Sequence, residues 1–190
     1  FANPTMGWDD KPLNGADASL LIVNRGEGSN ARYASVSLKN GKGSYVLANE
    51  GFRGMGFEKG HQYNFSILAH AVEGNVKVSI EAVDENGKPI GRASLEEING
   101  DWKTYRTSFT PTETASKGKL NVQFEGQGKI EIDMVSLFPA DTWKHRPNGM
   151  RADLVQKLAD LKPGFMRFPG GCIVEGRDLV NRYQWKNTVG

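Results

Sequence analysis

The sequence predicts a mainly β protein, a β-sandwich of about nine short strands followed by a helix–strand piece of a different structural unit. Apolar and polar residues alternate with a period of two from about Ser19 to Leu137, so that each strand buries one face. Turn residues interrupt the pattern at short intervals, as in two packed antiparallel sheets. Near Pro139 the period becomes helical, and we expect one domain over residues 1–139 and part of another over 140–190.

The strands follow from this alternation. It is clearest at residues 76–82, 120–124 and 130–132, and further strands are expected at 20–23, 33–38, 43–47, 62–71, 90–95 and 102–109. Clusters of Asn, Asp and Gly predict turns at 40–41, 73–75, 84–87 and 126–128. The glycines from Gly51 to Gly56 resemble a phosphate-binding loop in spacing, but another turn follows them instead of a helix. We therefore expect tight turns or a short strand there.

The segment after residue 139 has the pattern of a helix and then a strand. Asn148 is the expected helix N-cap and Pro163 lies just past the expected end. A short strand is predicted at 165–168, before Pro169. Without the rest of its domain the helix should expose its apolar face, which is formed by Met150, Leu154, Val155, Leu158 and Leu161.

Composition excludes several functions. The formal net charge is only +2, which lacks the basic footprint of a nucleic-acid binder. No apolar run approaches the roughly 18–20 residues of a membrane span. The single Cys172 excludes an internal disulfide framework, and the three separated histidines lack zinc-ligand spacing. The chain starts at Phe1 and ends at Gly190 without a polar tail, so we expect a piece of a longer protein.

Aromatic side chains are the strongest candidates for a binding surface, because sugar rings stack on flat apolar rings. Adjacent acidic pairs such as Asp84-Glu85 lie beside predicted turns and are interpreted as solvated loop charges. Trp102 and Tyr105 fall on opposite faces of one strand, so at most one of them faces a ligand groove. The alternative for each ring is packing in the core or at an edge. The candidates are Trp8, Tyr33, Tyr45, Phe52, Trp102 and Tyr105.

Several motifs carry a resemblance to known families. Residues 49–55, 58–63, 102–105 and 132–139 resemble a galactose-binding-like, jelly-roll carbohydrate-binding module. Residues 141–151, 165–172 and 185–187 resemble the family 51 α-L-arabinofuranosidases. The second resemblance implies a (β/α)₈ catalytic barrel that hydrolyses terminal α-L-arabinofuranosyl groups with retention. It also implies that both catalytic glutamates lie beyond Gly190, so this fragment should be inactive, and that Glu175 takes neither role.

The resemblance implies roles for the residues around the Pro-Gly-Gly turn. Arg167 would support the nucleophile carboxylate of the intact enzyme, because its planar guanidinium suits a carboxylate. Gly170 and Gly171 would let the backbone approach the sugar. Cys172 would line the substrate pocket, although many relatives have Asn there.

In the module, Trp102, Tyr105 and Phe52 are the aromatic candidates for substrate binding. Arg53 stands where relatives often have an aromatic residue. Asp133 is the one candidate for a structural calcium, with Met134 where relatives often carry a second acid. No other cofactor is implied.

The implied ligands are arabinan- or arabinoxylan-type glycans, and the implied partner is the remainder of the chain's own catalytic domain. Export to the periplasm or the cell exterior is expected. Two alternatives stay open: the module is a stand-alone carbohydrate binder, or it is a purely structural domain packed on the barrel. An exposed aromatic groove with Asn, Gln or Arg nearby would favour binding.

Overall fold

The computed structural model describes residues 5–24, 32–167 and 170–184, and within these it contains nine strands and two α-helices. The strands are β1 (Trp8–Leu13), β2 (Ala18–Asn24), β3 (Arg32–Leu38), β4 (Ser44–Asn49), β5 (Met55–Phe57), β6 (Tyr63–Val83), β7 (Pro89–Ser94), β8 (Lys103–Phe109) and β9 (Ala115–Pro139). A 3₁₀ turn (Trp143–His145) and the helices α1 (Ala152–Asp160) and α2 (Cys172–Glu175) follow.

Two long strands, β6 and β9, organise the sheet. They pair antiparallel along nearly their whole length, from Tyr63 opposite Pro139 to Val83 opposite Lys119. The first half of β6 and the second half of β9 form one layer with β8, β3 and β2. Their other halves form a second layer with β7, β4 and β1. The predicted β-sandwich is confirmed.

The bend between the layers depends on glycine. Gly74, Gly126 and Gly128 lie side by side where β6 and β9 turn, and their φ angles are 69°, 110° and 145°. A Cβ on Gly74 would lie 2.3 Å from the Gln127 carbonyl oxygen. The turns predicted at 73–75 and 126–128 are therefore wrong as strand ends, because the glycines bend two continuous strands without breaking their hydrogen-bonded ladder.

The core fills the space between the layers. The alternation predicted from the sequence places inward residues from both layers in one apolar cluster, and several are fully buried, among them Val36, Phe65, Ile80, Val122 and Phe124. Burying such side chains supplies the main favourable term in folding.

Strand β1 is absent from the strands predicted from the sequence. It has the sequence WDDKPL, which is too polar to show alternation, and among the described strands it pairs with β4 alone, at the edge of its layer. Its Pro12 suits an edge strand, since proline cannot donate to a second neighbour. Strand β5 has three residues and fits the short strand expected after Gly51.

The chain divides into two compact units, Phe1–Arg151 and Ala152–Gly190. β9 ends at Pro139, and the first unit continues through a turn closed by the bridge between Thr142 and Arg151. Asn148 lies inside this turn with a φ of 52°, so the prediction that it caps the helix is wrong. The closed turn delays the start of α1 to Ala152.

The second unit contains α1 and α2. No residue of α1 is buried, and Leu154, Leu158 and Leu161 are half or more exposed, as the sequence predicted for this apolar face. Residues 165–167 form no strand, and residue 168 lies outside the described residues. A strand needs a hydrogen-bonded neighbour, so the local sequence alone could not determine whether these residues form a strand. Over the described ranges, no helix is both long and apolar enough to cross a membrane.

Candidate functional site

The outward surface of the layer β8–β6–β9–β3–β2 carries an aromatic and polar cluster. Strand register determines which side chains reach it: Ala69 and Ile132 point into the core, so the neighbouring His70 and Glu131 point outward and lie directly opposite each other. Tyr33 is outward on β3, and Trp102 precedes β8. We call Tyr33, His70, Trp102 and Glu131 the outer aromatic face.

The rings of this face contact one another. The Trp102 and His70 ring centroids lie 4.3 Å apart, and the Tyr33 ring meets Trp102 edge-on at 5.7 Å with an interplanar angle of 80°. Both aromatic residues are partly exposed. Edge-to-face contacts of this kind fix ring orientation, so the apolar surface is pre-organised for a flat ligand.

A polar pair lies within the same face. His70 Nε2 is 2.9 Å from Glu131 Oε2, and the two side chains are only 17% and 12% exposed. Lys129 Nζ lies 3.8 Å from the other Glu131 oxygen, and His70 Nδ1 is 3.3 Å from the Gly100 carbonyl oxygen. Because these contacts hold the imidazole and carboxylate in place, the face offers fixed hydrogen-bonding groups beside an aromatic surface.

The outward surface of the other layer is different. Glu81 is 7% exposed there and accepts hydrogen bonds from Arg92 at 2.7 Å and Gln123 at 3.1 Å. A hollow of about 390 Å³ beside this network is lined mainly by polar and charged side chains. A sugar could find hydrogen-bond partners there but no flat ring to stack on, so the outer aromatic face is the better candidate.

Two of the predicted aromatic candidates are corrected by the structure. Tyr105 and Tyr45 are each 1% exposed, and both rings belong to the core cluster. The Tyr105 hydroxyl accepts a hydrogen bond from the Asn99 amide at 2.8 Å. A tyrosine can bury its ring when its hydroxyl finds a partner, so Tyr105 presents no ring face to a ligand. Because Trp102 and Tyr105 were predicted to lie on opposite faces of one strand, the burial of Tyr105 leaves Trp102 as the outward ring.

Phe52 lies at the tip of the turn between β4 and β5 and is 91% exposed. Residues with positive φ shape this turn, namely Gly51, Arg53 and Gly54, and the Arg53 guanidinium carbon lies 5.7 Å from the Phe52 ring centroid. Arg53 thus supplies a cation beside the ring. Phe52 and the outer aromatic face are separate structural features.

Asp133, the calcium candidate, lies next to a β-bulge. Its Oδ1 accepts a hydrogen bond from the Met134 amide at 2.7 Å, and Met134 has a φ of 49°. Across the described residues, no three His, Cys, Asp or Glu side chains are grouped closely enough to hold a metal ion. Asp133 therefore has no acidic cluster around it in the described part of the chain.

His70 and Glu131 are the site residues that sequence reasoning missed. Both stand at outward positions of predicted strands, which is a signal that was available. That they lie opposite each other depends on the register between β6 and β9, which could not be predicted from this one sequence.

The second unit holds the residues matched to the catalytic family. Arg167 Nη2 lies 3.7 Å from Glu175 Oε1, and both side chains are more than 70% exposed. Gly170 is exposed, and Gly171 has a φ of 97° just before α2. The side chain of Cys172 lies outside the described part of the structure.

Two parts of the chain match models of known protein families. Residues 4–129, about two thirds of the chain, match the model of a carbohydrate-binding domain family. The chain belongs to this family. The carbohydrate-binding domain is followed by a match of residues 157–190 to an α-L-arabinofuranosidase 1 domain.

Two α-L-arabinofuranosidases match most of this chain. The carbohydrate-binding domain and its extension are 39% identical over 165 residues to an extracellular exo-α-L-arabinofuranosidase of Streptomyces chartreusis, covering 80% of this chain and 19% of that protein. They are 36% identical over 153 residues to α-L-arabinofuranosidase 1 of Arabidopsis thaliana, covering 78% and 22%. The chain thus spans about a fifth of the length of these relatives.

A solved structure has the same fold over nearly the whole chain. The arabinose-bound MgGH51 α-L-arabinofuranosidase superposes with a TM-score of 0.81 at 26% identity, covering 97% of this chain and 31% of that one. The resemblance to family 51 enzymes is confirmed, as a match to one part of a larger protein.

Proposed function

We propose that this chain is part of an exported α-L-arabinofuranosidase, in which residues 1–139 bind arabinan- or arabinoxylan-type glycans and residues 140–190 begin the catalytic domain. The observation that carries the proposal is the succession of two family matches in one chain, a carbohydrate-binding domain and then an arabinofuranosidase domain. The intact enzyme cleaves terminal α-L-arabinofuranosyl groups with retention.

The chain by itself is inactive under this proposal. Retaining cleavage needs two carboxylates about 5 Å apart, one as acid/base and one as nucleophile. Glu175 of the second unit pairs with Arg167. We assign it neither of these two catalytic roles. Release of arabinose from an aryl arabinofuranoside should require the full-length enzyme, and measurable release by rigorously purified 190-residue chain would contradict the proposal.

Arg167 orients the nucleophile in the full-length enzyme, with Gly170, Gly171 and Cys172 lining the substrate pocket. An adjacent cation favours the ionised carboxylate, and a planar fork fixes its direction in a way that an ammonium group does not. The pairing of Arg167 with Glu175 offers a competing role, a simple ion pair at the surface.

Substitution in the full-length enzyme separates these roles. Arg167→Lys keeps the charge and should lower kcat by about tenfold or more, equivalent to about 1.4 kcal/mol or more in the barrier. Glu175→Gln removes the observed partner and serves as the matched control, with kcat expected within about twofold of the parent. Equal effects of the two substitutions, or no effect of Arg167→Lys, would assign Arg167 to the ion pair.

The outer aromatic face holds the glycan. Trp102 and Tyr33 supply apolar area at low entropic cost, and His70 and Glu131 supply fixed hydrogen-bonding groups beside them. Arg106 is exposed on the same outward surface, opposite Ser66. This combination favours binding over a purely structural role for the domain.

Two exposed aromatic residues make the binding site testable. Trp102→Ala should weaken the binding of the chain to arabino-oligosaccharides by about tenfold or more, because stacking and the ordered Tyr33 contact are both lost. Phe52→Ala, in the separate loop, should leave the affinity within about twofold. The reverse pattern, measured by calorimetric titration, would move the site to the loop tip.

A further inference from the structure

A second concave feature is lined by residues of both layers of the sandwich. Trp8 of β1 and Leu47 of β4 face Leu20 of β2 and Ile132 of β9 across a pocket of about 270 Å³. Thr5, Arg32 and Asp133 add polar groups to its lining. We call this feature the end pocket.

One wall of the end pocket is a β-bulge in β9. Ser66 pairs with Ser136 and Leu68 pairs with Asp133, so β9 has one more residue than β6 in this interval. The bulge puts Met134 in the left-handed region at a φ of 49° and leaves its side chain 62% exposed in the pocket lining. Bulges re-aim side chains and are enriched beside binding sites, and strain of this kind persists where the surroundings impose it.

The end pocket adjoins the outer aromatic face through Tyr33. Tyr33 lines the pocket, and its ring also meets Trp102 edge-on at 5.7 Å. Asp133 follows Ile132, which pairs with Ala34 in the β3–β9 register, and it lines the same pocket. Tyr33 is therefore shared between the lining of the end pocket and the outer aromatic face.

We propose that the end pocket accommodates a single neutral sugar residue that branches from a glycan held on the outer aromatic face. The inference rests on the proposed glycan-binding function and adds a preference for branched ligands. The volume falls just below the range of roughly 300–1,000 Å³ typical of sites for drug-sized ligands, so it suits one ring rather than an oligosaccharide. The Trp8 indole offers an apolar surface, while Arg32 donates and Asp133 accepts hydrogen bonds, as the hydroxyl groups of a neutral sugar require.

The test compares two ligands of equal backbone length, a linear arabino-oligosaccharide and the same oligosaccharide carrying one arabinofuranosyl branch. Calorimetric titration of the 190-residue chain should show the branched ligand bound at least about fivefold more tightly. Trp8→Ala and Met134→Gly should both reduce this preference to within about twofold and leave the affinity for the linear ligand unchanged. Glycine suits the backbone at position 134, so Met134→Gly keeps the test independent of folding.

Leu21→Ala is the matched control, because Leu21 is 65% exposed on β2 and adjoins the pocket-lining Leu20 without lining the pocket itself. This variant should keep the full preference for the branched ligand. Equal binding of both ligands by the parent chain, or a preference that survives Trp8→Ala and Met134→Gly, would overturn the pocket assignment while leaving the outer aromatic face in place. Binding of neither ligand would overturn the pocket assignment and the proposed glycan binding together.

Discussion

Tyr45 illustrates how a single side chain joins the core to the edge of the sandwich. Its ring is 1% exposed, and its hydroxyl donates a hydrogen bond to the Asp10 carboxylate on β1. Burial raises the pKa of the Tyr45 hydroxyl well above its usual value, and the hydrogen bond to Asp10 and the negative charge of Asp10 raise it further. The phenol therefore stays protonated in the folded chain when an exposed phenol would ionise.

This pKa shift predicts a pH dependence of stability. In the unfolded chain Tyr45 ionises near pH 10, so above that pH the unfolded state holds fewer protons and folding becomes less favourable. Tyr45→Phe should cost about 1 kcal/mol at pH 8, where the hydrogen bond is lost without any titration. Above pH 10 the stability advantage of the parent should fall by about 1.4 kcal/mol per pH unit, so that Tyr45→Phe becomes the more stable chain by about pH 11. Urea unfolding at pH 8, 10 and 11 measures it, and a constant difference would contradict the assignment.

Single residues also show what the sequence could and could not predict about the site. The spacing of Trp102 and Tyr105 predicted that they face opposite ways, which follows from the period of a strand. It did not predict that Tyr105 is the inward one, because that depends on which residues of β6 lie opposite. The contact of Trp102 with Tyr33 spans distant parts of the chain, and no local pattern encodes it.

At the scale of secondary structure, the paired bend of β6 and β9 is the feature on which the two-layer fold depends. Alternation predicted both halves of each strand, but glycines that usually end strands sit here inside them. The local signal is the same for a turn and for a bend. Only the neighbouring strand, which continues the ladder past the glycines, decides between them.

Alanine at Gly74 tests this bend. The new Cβ would lie 2.3 Å from the Gln127 carbonyl oxygen at a φ of 69°, so the variant should lose about 2–4 kcal/mol of stability. Gly87 is the matched control, since its φ is 83° and a Cβ at that position would have no neighbouring atom within 4 Å. Gly87→Ala should lose only about 1 kcal/mol, the cost of the backbone conformation alone. Similar urea midpoints for the two variants would mean that the bend tolerates a side chain.

Helix α1 shows the limit of local pattern at this scale. Its amphipathic period predicted a helix correctly, yet its apolar face is exposed. The pattern predicts that this face packs against another element, but it does not identify that element. The same period also misplaced the start of the helix, since the closed turn before Arg151 is formed by a bridge to Thr142.

The same substitution at two leucines measures the exposure of this helix. Leu158→Ala in α1, where the side chain is 50% exposed, should change the stability of the chain by less than about 0.5 kcal/mol. Leu120→Ala in the core, where the side chain is 2% exposed, should cost about 2–5 kcal/mol. A loss of several kcal/mol from Leu158→Ala would show that the apolar face of α1 is covered in solution.

At the scale of the whole molecule, the two compact units carry different kinds of residues. The sandwich carries rigid aromatic and polar groups on one outward surface and belongs to a carbohydrate-binding family. The second unit carries residues that match an arabinofuranosidase domain, and their chemistry depends on the remainder of that domain. The change of hydrophobic period near residue 139 predicted two units from the sequence alone. It did not reveal the outer aromatic face, which is formed by the pairing of strands distant in sequence.

We propose that this chain binds arabinose-containing glycans without cleaving them. Calorimetric titration of the 190-residue chain with arabino-oligosaccharides, with chromatography of the sugar recovered from the same cell, tests both halves together. We expect saturable binding, weaker binding of xylo-oligosaccharides of equal length, and recovery of the arabino-oligosaccharide at its original length. Absence of binding to the arabino-oligosaccharide, or the appearance of free arabinose, would contradict it.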